Sequence, residues 1–368
     1  MRHTSVAMTL RVSKIRGMII FCGREVDPER IGKEVIVEHV MKEKIQNVQL
    51  GKVQQFRNVS IYPLFLEARA VVDHLVLKEA IEQELVVIRE VDEGGHVPEL
   101  VVVNNADKPL LILDGEELFG AKQNRVLNTT VLLRKKSATI IPVSCTEQGR
   151  WHYESKTFKD SGYIMSPRIR GVKNRSVQES LYRSGDYRSD QGAVWNGIHE
   201  QAVNASVQSP TGAMRDIHEA RKADVGDYEQ HFPCLDGQQG VLVAIGGSVV
   251  GMDLVSHGGS YAMLHGKLVK SYLMDAIIHE GESSKPMDQA RAQQFIDDIA
   301  ACRFDRYKSV GHGWDLRYEG RRLFGSALEY RKGLVHLAAF AAYGVVQRNN
   351  GGGMAGYSRR ASYRRSNH

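Results

Sequence analysis

Gly240-Val-Leu-Val-Ala-Ile245 and Ser248-Val-Val-Gly-Met-Asp-Leu254 are two β-rich runs with only Gly246-Gly247 between them. Two residues are too few for the crossover that joins parallel strands, and glycine supplies the positive φ of a tight hairpin turn, so the pair must run antiparallel. The two glycines lack the G-x-G-x-x-G spacing of a dinucleotide loop, and a hairpin turn accounts for them in full. A helix is expected next, from Ser260 to His279, with Tyr261, Leu264, Leu268 and Tyr272 on one face. A weaker helix is expected from near Pro286 to Ala300, then two strands, Arg321 to Tyr330 and Leu334 to Phe340, turning at Arg331-Lys-Gly333.

Working back toward the N-terminus, Val59 to Leu66, Leu85 to Val91, Leu100 to Asn104 and Leu110 to Leu113 read as strands, with a short helix between His74 and Gln83. Arg125 to Leu133 and Ala138 to Cys145 read as a hairpin around Arg134-Lys-Lys136. Between these strands and the late ones lies a polar stretch. Helices are expected there from Asp190 to Ser206 and through Met214, Ile217, Val225, Tyr228 and Phe232. Arg168 to Arg188, with six cations against two acids, reads as a solvated linker or, as the alternative, a basic rim over an anionic ligand. The order predicts an α+β fold, mainly antiparallel, with helices inserted between early and late strands and the late strands returning to the early sheet.

The chain of 368 residues is 42% hydrophobic and 25% charged, which excludes wholesale disorder and fibrous repeats. Its four cysteines are scattered, without a C-x-x-C pair, which argues against a disulfide scaffold or zinc ribbon and fits a reducing cytoplasm. The longest apolar run, Leu334 to Val346, is broken by His336 and offers no membrane span. Five arginines lie between Arg348 and the end without an acid, so the net charge of +6 falls to +1 for the rest. Residues 347–368 are therefore expected as a basic disordered tail, the one part with a charge suited to nucleic acid. Residues 1–45, with short β-rich runs at Met18 to Cys22 and Glu34 to Val40, are expected as an extension without a secretory signal. Residues 46–346 form the domain.

Three familiar motifs fail on spacing. Cys145 and Arg150 have four residues between them where a cysteine phosphatase loop needs five. His199-Glu200 and His218-Glu219 each open an H-E-x-x-H pattern, but Val203 and Lys222 stand where the second histidine belongs, so no metal site is expected. What remains is Asp114-Gly-Glu-Glu-Leu-Phe-Gly-Ala-Lys-Gln-Asn-Arg125 with Asn128: three carboxylates, two cations and three amides in fifteen residues. Lys122 and Arg125 suit phosphate oxygens, and Gln123, Asn124 and Asn128 suit ribose hydroxyls or a base edge. Glu116 and Glu117 are adjacent, so one of them is expected to face the pocket as general acid or base. Arg150 and Trp151, just past the Ala138 to Cys145 strand, offer an anion contact and a stacking face. Arg188, Asp190 and Gln191 lead into a helix that Asp190 or Ser189 would cap. The pattern names no cofactor. Each of these residues also has a structural reading, as a bonded core amide, an N-cap or a solvated charge.

Across Leu113-Asp-Gly-Glu-Glu-Leu118, Gly120-Ala-Lys-Gln-Asn-Arg125, Leu127-Asn-Thr129, Ile141-Pro-Val-Ser-Cys145, Gly149-Arg-Trp151, Arg188-Ser-Asp-Gln191 and Gly251-Met-Asp253, the chain resembles a bacterial domain family, ARPP-1. The resemblance runs in order from Asn58 to Phe340. It implies association with ADP-ribose hydrolysis rather than a defined reaction, and it points to Glu116, Glu117, Lys122, Gln123, Asn124, Arg125, Arg150, Asp190 and Gln191. The leading expectation is a pocket that binds an ADP-ribose-like nucleotide or ADP-ribosyl conjugate. In its catalytic version the pocket hydrolyses the ribosyl bond through Glu116 or Glu117. The alternatives are a non-catalytic nucleotide- or protein-binding module and a scaffold in which the cluster is an internal ion-pair network.

Overall fold

In the computed structural model the Gly240–Ile245 and Ser248–Val255 strands pair antiparallel around Gly246 and Gly247, whose φ angles are 58° and 76°. This hairpin is the centre of a nine-stranded sheet. Val59–Phe65 pairs with its first strand, and Gly333–Ala341, Leu323–Tyr330, Trp314–Glu319 and Arg303–Lys308 follow in turn beyond its second. The structure describes residues 14–15, 18–21, 24–26 and 28–342, apart from 68–69, 93–97 and 280–284, with side chains from Val37 onward.

Alternation along the central strands feeds two different cores. Val241 and Val243 face one apolar cluster, built with helices Pro167–Ser184, Gln191–Asn204, Met214–Ala220 and Gly258–Ile278. Leu242 and Ala244 face another, closed by helices Pro28–Gln46 and Gln289–Ala301. The expected β-run at Glu34 to Val40 is therefore helical. Val37, Met41 and Ile45 recur every fourth residue and are buried, which is a helical and not a strand period.

A second sheet runs in the order Phe158–Ile164, Glu116–Gly120, Arg125–Leu127, Ser137–Cys145, Glu99–Asn104, Val86–Glu90, all antiparallel. Its two edge strands approach each other to Cα separations within 8 Å, so the sheet curls into an open barrel. Leu118, Leu127, Val143, Ile141, Leu100, Val102 and Ile88 fill its concave side. The expected Arg125 to Leu133 strand is broken. Only Arg125–Leu127 pairs with Ser137–Cys145, while Val131–Leu133 turns away to pair with Leu110–Ile112. The break falls at Asn128, Thr129 and Thr130, whose side chains each bond at least one group outside this sheet.

The expected Arg168 to Arg188 linker is mostly helix, entered through Pro167 and ended by Gly185 at φ 77°. Its charge misled because Arg170 and Lys173 are buried and not solvated. Strands Glu116–Gly120, Phe158–Ile164, Arg303–Lys308 and Trp314–Glu319 carry enough charge to read as loops. The fold is α+β, as expected. Among the described residues no helix is long and apolar enough to cross a membrane. The basic tail lies outside the described residues.

Candidate functional site

Register sorts the polar cluster onto two faces. Arg125 pairs with Leu118 and Cys145, whereas Glu117 and Ser144 pair with Val126. Directly paired residues share a face and neighbours alternate. Arg125 therefore belongs to the concave, barrel side with Leu118, Leu127 and Val143. Glu117, Val126 and Ser144 belong to the side covered by helices.

On the concave side, the Arg125 guanidinium is fully buried. Its Nη1 donates to Gln123 Oε1 at 2.8 Å, while Nε and Nη2 have no hydrogen-bond partner. Glu90, paired with Leu100 and so facing the same interior, has a carboxylate oxygen 3.9 Å from Nη2. Burial raises the Glu90 pKa, and the charges of Arg125 and Lys122 oppose that rise. Above Arg125 lies the Trp151 ring, its centroid 5.8 Å from the guanidinium carbon. Lys122 Nζ sits between Trp151 and Tyr153, 5.4 and 5.0 Å from their centroids. Both rings are about half exposed, at 48% and 49%. Together these groups, termed the barrel mouth, are a buried cation, a half-buried cation and two half-exposed aromatic rings.

Arg150 and Asn124 support this mouth and do not line it. Arg150 donates to the Ala121 carbonyl at 2.7 Å and to Asn124 Oδ1 at 3.1 Å, and pairs with Glu147 at 2.7 Å. Asn124 Oδ1 also accepts from Gly120 N–H. Gly120 is required here: φ is 115° and a Cβ would lie 2.5 Å from Ser155 Oγ. Arg150 thus locks the tight Gly120–Asn124 turn and fixes the backbone from which Lys122, Gln123 and Arg125 project. The anion contact expected of Arg150 gives way to this structural role, because its donors already meet buried acceptors.

The remaining expected site residues lie elsewhere. Glu116 is buried, accepting from Leu113 N–H and from Lys267 Nζ at 2.8 Å, with Asp160 sharing that ammonium. Glu117 is buried too, on the face of the sheet opposite to Arg125. Its Oε1 accepts from Thr146 at 2.8 Å and its Oε2 has no partner. Burial pushes the Glu117 pKa up to about 7, against the pull of the Thr146 and Ser161 hydroxyls. Asn128 donates to the Tyr187 carbonyl and accepts from Ser144, which meets Ser189. The segment carrying exposed Arg188 is thereby pinned to the helix-covered face. Asp190 caps its helix at Ala193 N–H, and Gln191 bonds both the N–H and the carbonyl of Cys145 at 2.8 Å.

A denser charge cluster, not expected from the sequence, joins the barrel to the large sheet. Asp114 meets Lys173 and Arg170, Arg170 forks onto Asp253, and Asp253 also accepts from Tyr272 at 2.8 Å. His336 bridges Asp253 and Thr130, and Asp315 pairs with Arg317 and Thr129. All are buried. Burial would raise the Asp253 pKa, but Arg170 and His336 outweigh it and hold the carboxyl well below the usual range. The network has no exposed member to touch a ligand, and its chemistry is that of a structural core.

A family model described as "ARG and Rhodanese-Phosphatase-superfamily-associated Protein domain" matches residues 47–340. The chain belongs to this ARPP-1 family. No curated protein and no solved structure matches it. The ARPP-1 match covers both sheets, so barrel mouth and buried network lie in one family domain. Within the ARPP-1 domain, Lys122, Gln123, Arg125 and Trp151 of the expected residues meet at the mouth. Glu90 and Tyr153 join them without having been expected. Glu90 left a signal: Val86, Ile88 and Glu90 share one parity of a strand, so an acid stands where alternation calls for an apolar residue.

Proposed function

We propose that this ARPP-1 domain is a binding module for an ADP-ribose-like nucleotide, seated at the barrel mouth. The observation that carries the reading is Arg125, a fully buried guanidinium with two nitrogens that make no hydrogen bond, beneath a half-exposed tryptophan. A buried cation with unused donors is costly unless an anion completes it. Phosphate oxygens match the fork of an arginine, and Lys122 adds a second cation. Trp151 and Tyr153 offer stacking faces for a base, and both must shift or stack as the ligand enters. The family's description as ARG-associated, with ARG read as ADP-ribosylglycohydrolase, supports the ligand class. Hydrolysis at the same site is disfavoured: Glu116 is held by Lys267, and Glu117 faces the opposite side of the sheet from Arg125.

The test is a titration with ADP-ribose followed by tryptophan fluorescence and melting temperature. Saturable quenching, absent in Trp151→Phe, and a melting temperature that rises with ligand are expected; about 100-fold excess over Kd adds roughly 2.7 kcal/mol of stability. Arg125→Gln should weaken binding by at least about tenfold, the least expected when a charge-assisted contact is removed. Glu117→Gln should bind as the parent does. Release of ADP-ribose from an ADP-ribosylated protein that stops in Glu117→Gln would restore the hydrolase reading. A flat melting temperature with every nucleotide would leave the scaffold reading.

A further inference from the structure

Glu90 enters the barrel interior from the far strand and approaches the one guanidinium that the mouth offers. Its carboxylate stands 3.9 Å from Arg125 Nη2, near enough to neutralise the charge and too far for a hydrogen bond. Arg125 Nε and Nη2 remain without partners. We propose that Glu90 is a placeholder and a specificity determinant: its carboxylate holds the position beside Arg125 that the ligand's anionic group takes, so that anion binding draws one proton onto Glu90.

The geometry requires this coupling. A phosphate oxygen that reaches Arg125 Nη2 comes to lie against the Glu90 carboxylate inside a low-dielectric barrel, where two like charges cannot both persist. The groups that face Glu90 are few. Arg125 and Lys122 favour its ionised form, and Asp92 disfavours it. From the adjoining Glu99–Asn104 strand it is Leu100, not a charge, that pairs with it. Burial already tilts Glu90 toward its neutral form. Once the phosphate shares Arg125, protonation is the route open to a carboxylate that is itself buried. The balance is simple: one carboxylate and one solvent proton give one neutral carboxyl, and Arg125 exchanges an internal for an external anion. A neutral ligand gains nothing from the exchange, so the device selects for anions, and more strongly as pH falls.

This inference rests on the barrel mouth being the nucleotide site, and the experiment separates the two. ADP-ribose and inorganic pyrophosphate are titrated calorimetrically into the full chain at one pH, in two buffers of different ionisation enthalpy. The wild-type protein should take up close to one proton per ligand at neutral pH, and its affinity should fall as pH rises. In Glu90→Gln the uptake should vanish and the affinity above neutrality should rise about tenfold or more, since the internal anion is gone. Binding that depends on Arg125 but takes up no proton overturns the placeholder and leaves the site standing. Failure of both probes to bind both wild type and Glu90→Gln, between acid and mildly alkaline pH, overturns the site and the placeholder together. The proton count is read on the unmodified protein, so it holds even if the variant does not fold.

Discussion

Glu117 holds a carboxyl on the helix-covered face of the barrel sheet, with one oxygen bonded to Thr146, the other without a hydrogen bond, and the Ser161 hydroxyl near the group. Its folded pKa of about 7 exceeds the ordinary value of 4.5 because burial penalises the charge. The sign follows from proton counting. Below the unfolded pKa both states carry the proton and the group contributes nothing to the pH slope. Between the two values the folded state keeps a proton that the unfolded chain has released, so stability falls as pH rises through that window and levels off above it. Glu117→Gln removes the charge and hence the slope. Its stability relative to the parent should improve by about 2–4 kcal/mol between about pH 4.5 and about pH 8. Urea midpoints of both proteins across that range check it, and a constant difference would contradict it. The comparison across pH cancels any fixed cost of the new amide.

At the scale of elements, Gln191 imitates a strand. Its side-chain amide donates to the Cys145 carbonyl and accepts from the Cys145 N–H, where Ser137–Cys145 has lost its Glu99–Asn104 partner. Gln191→Ala should cost about 1–3 kcal/mol by leaving two main-chain groups unpaired, and should speed amide exchange at Cys145. Gln191→Glu should be no better, because a carboxylate oxygen would face the carbonyl. Equal stability of all three would mean that water serves as well. This link shows what the sequence could reveal. Asp190 and Gln191 announced a helix start, and the hairpin at Gly246-Gly247 was written in turn chemistry, whereas Arg331 and Lys332 take positive φ without it and Gly333 alone marked their turn. Strands whose inward positions carry Asp315, Arg317 or Glu116 were not legible, because a charge reads as solvent until its buried partner is known. For the same reason the basic run at Arg168 suggested a linker. The site was legible in composition but not in direction: the string from Lys122 to Arg125 contains the mouth, while strand parity, which needs the register, sends Glu117 to the other side.

For the whole molecule, the buried network is a polar joint between two sheets that also share an apolar cluster, to which Val126 and Ile164 of the barrel and Val241 and Val243 of the large sheet all contribute. Asp114 comes from the barrel, Lys173 and Arg170 from the helix between the layers, and Asp253 and His336 from the large sheet. The Nε2–H tautomer of His336 fits both its neighbours, donating to Asp253 while Nδ1 accepts from Thr130, whose oxygen accepts from Asp114 N–H. The layers are thus joined by groups that must all be satisfied at once, and unfolding of one strands charges in the other. Lys173→Met keeps the length of the side chain but leaves Asp114 short of a cation and takes one of two donors from the Leu127 carbonyl, which keeps the Gly115 N–H. The loss should be about 3–5 kcal/mol, the cost of breaking a buried pair from one side. Because the joint is shared, the slowest-exchanging amides of the barrel, such as Val126 and Val143, should lose protection by the same free energy as Leu242 and Val243 in the large sheet. Pairing the change with Asp114→Asn should recover part of the loss in both layers, since the uncompensated charge, not the missing contact, carries most of it. Protection lost in the barrel alone would show instead that each sheet stands on its own core and that the network merely fills the space between them.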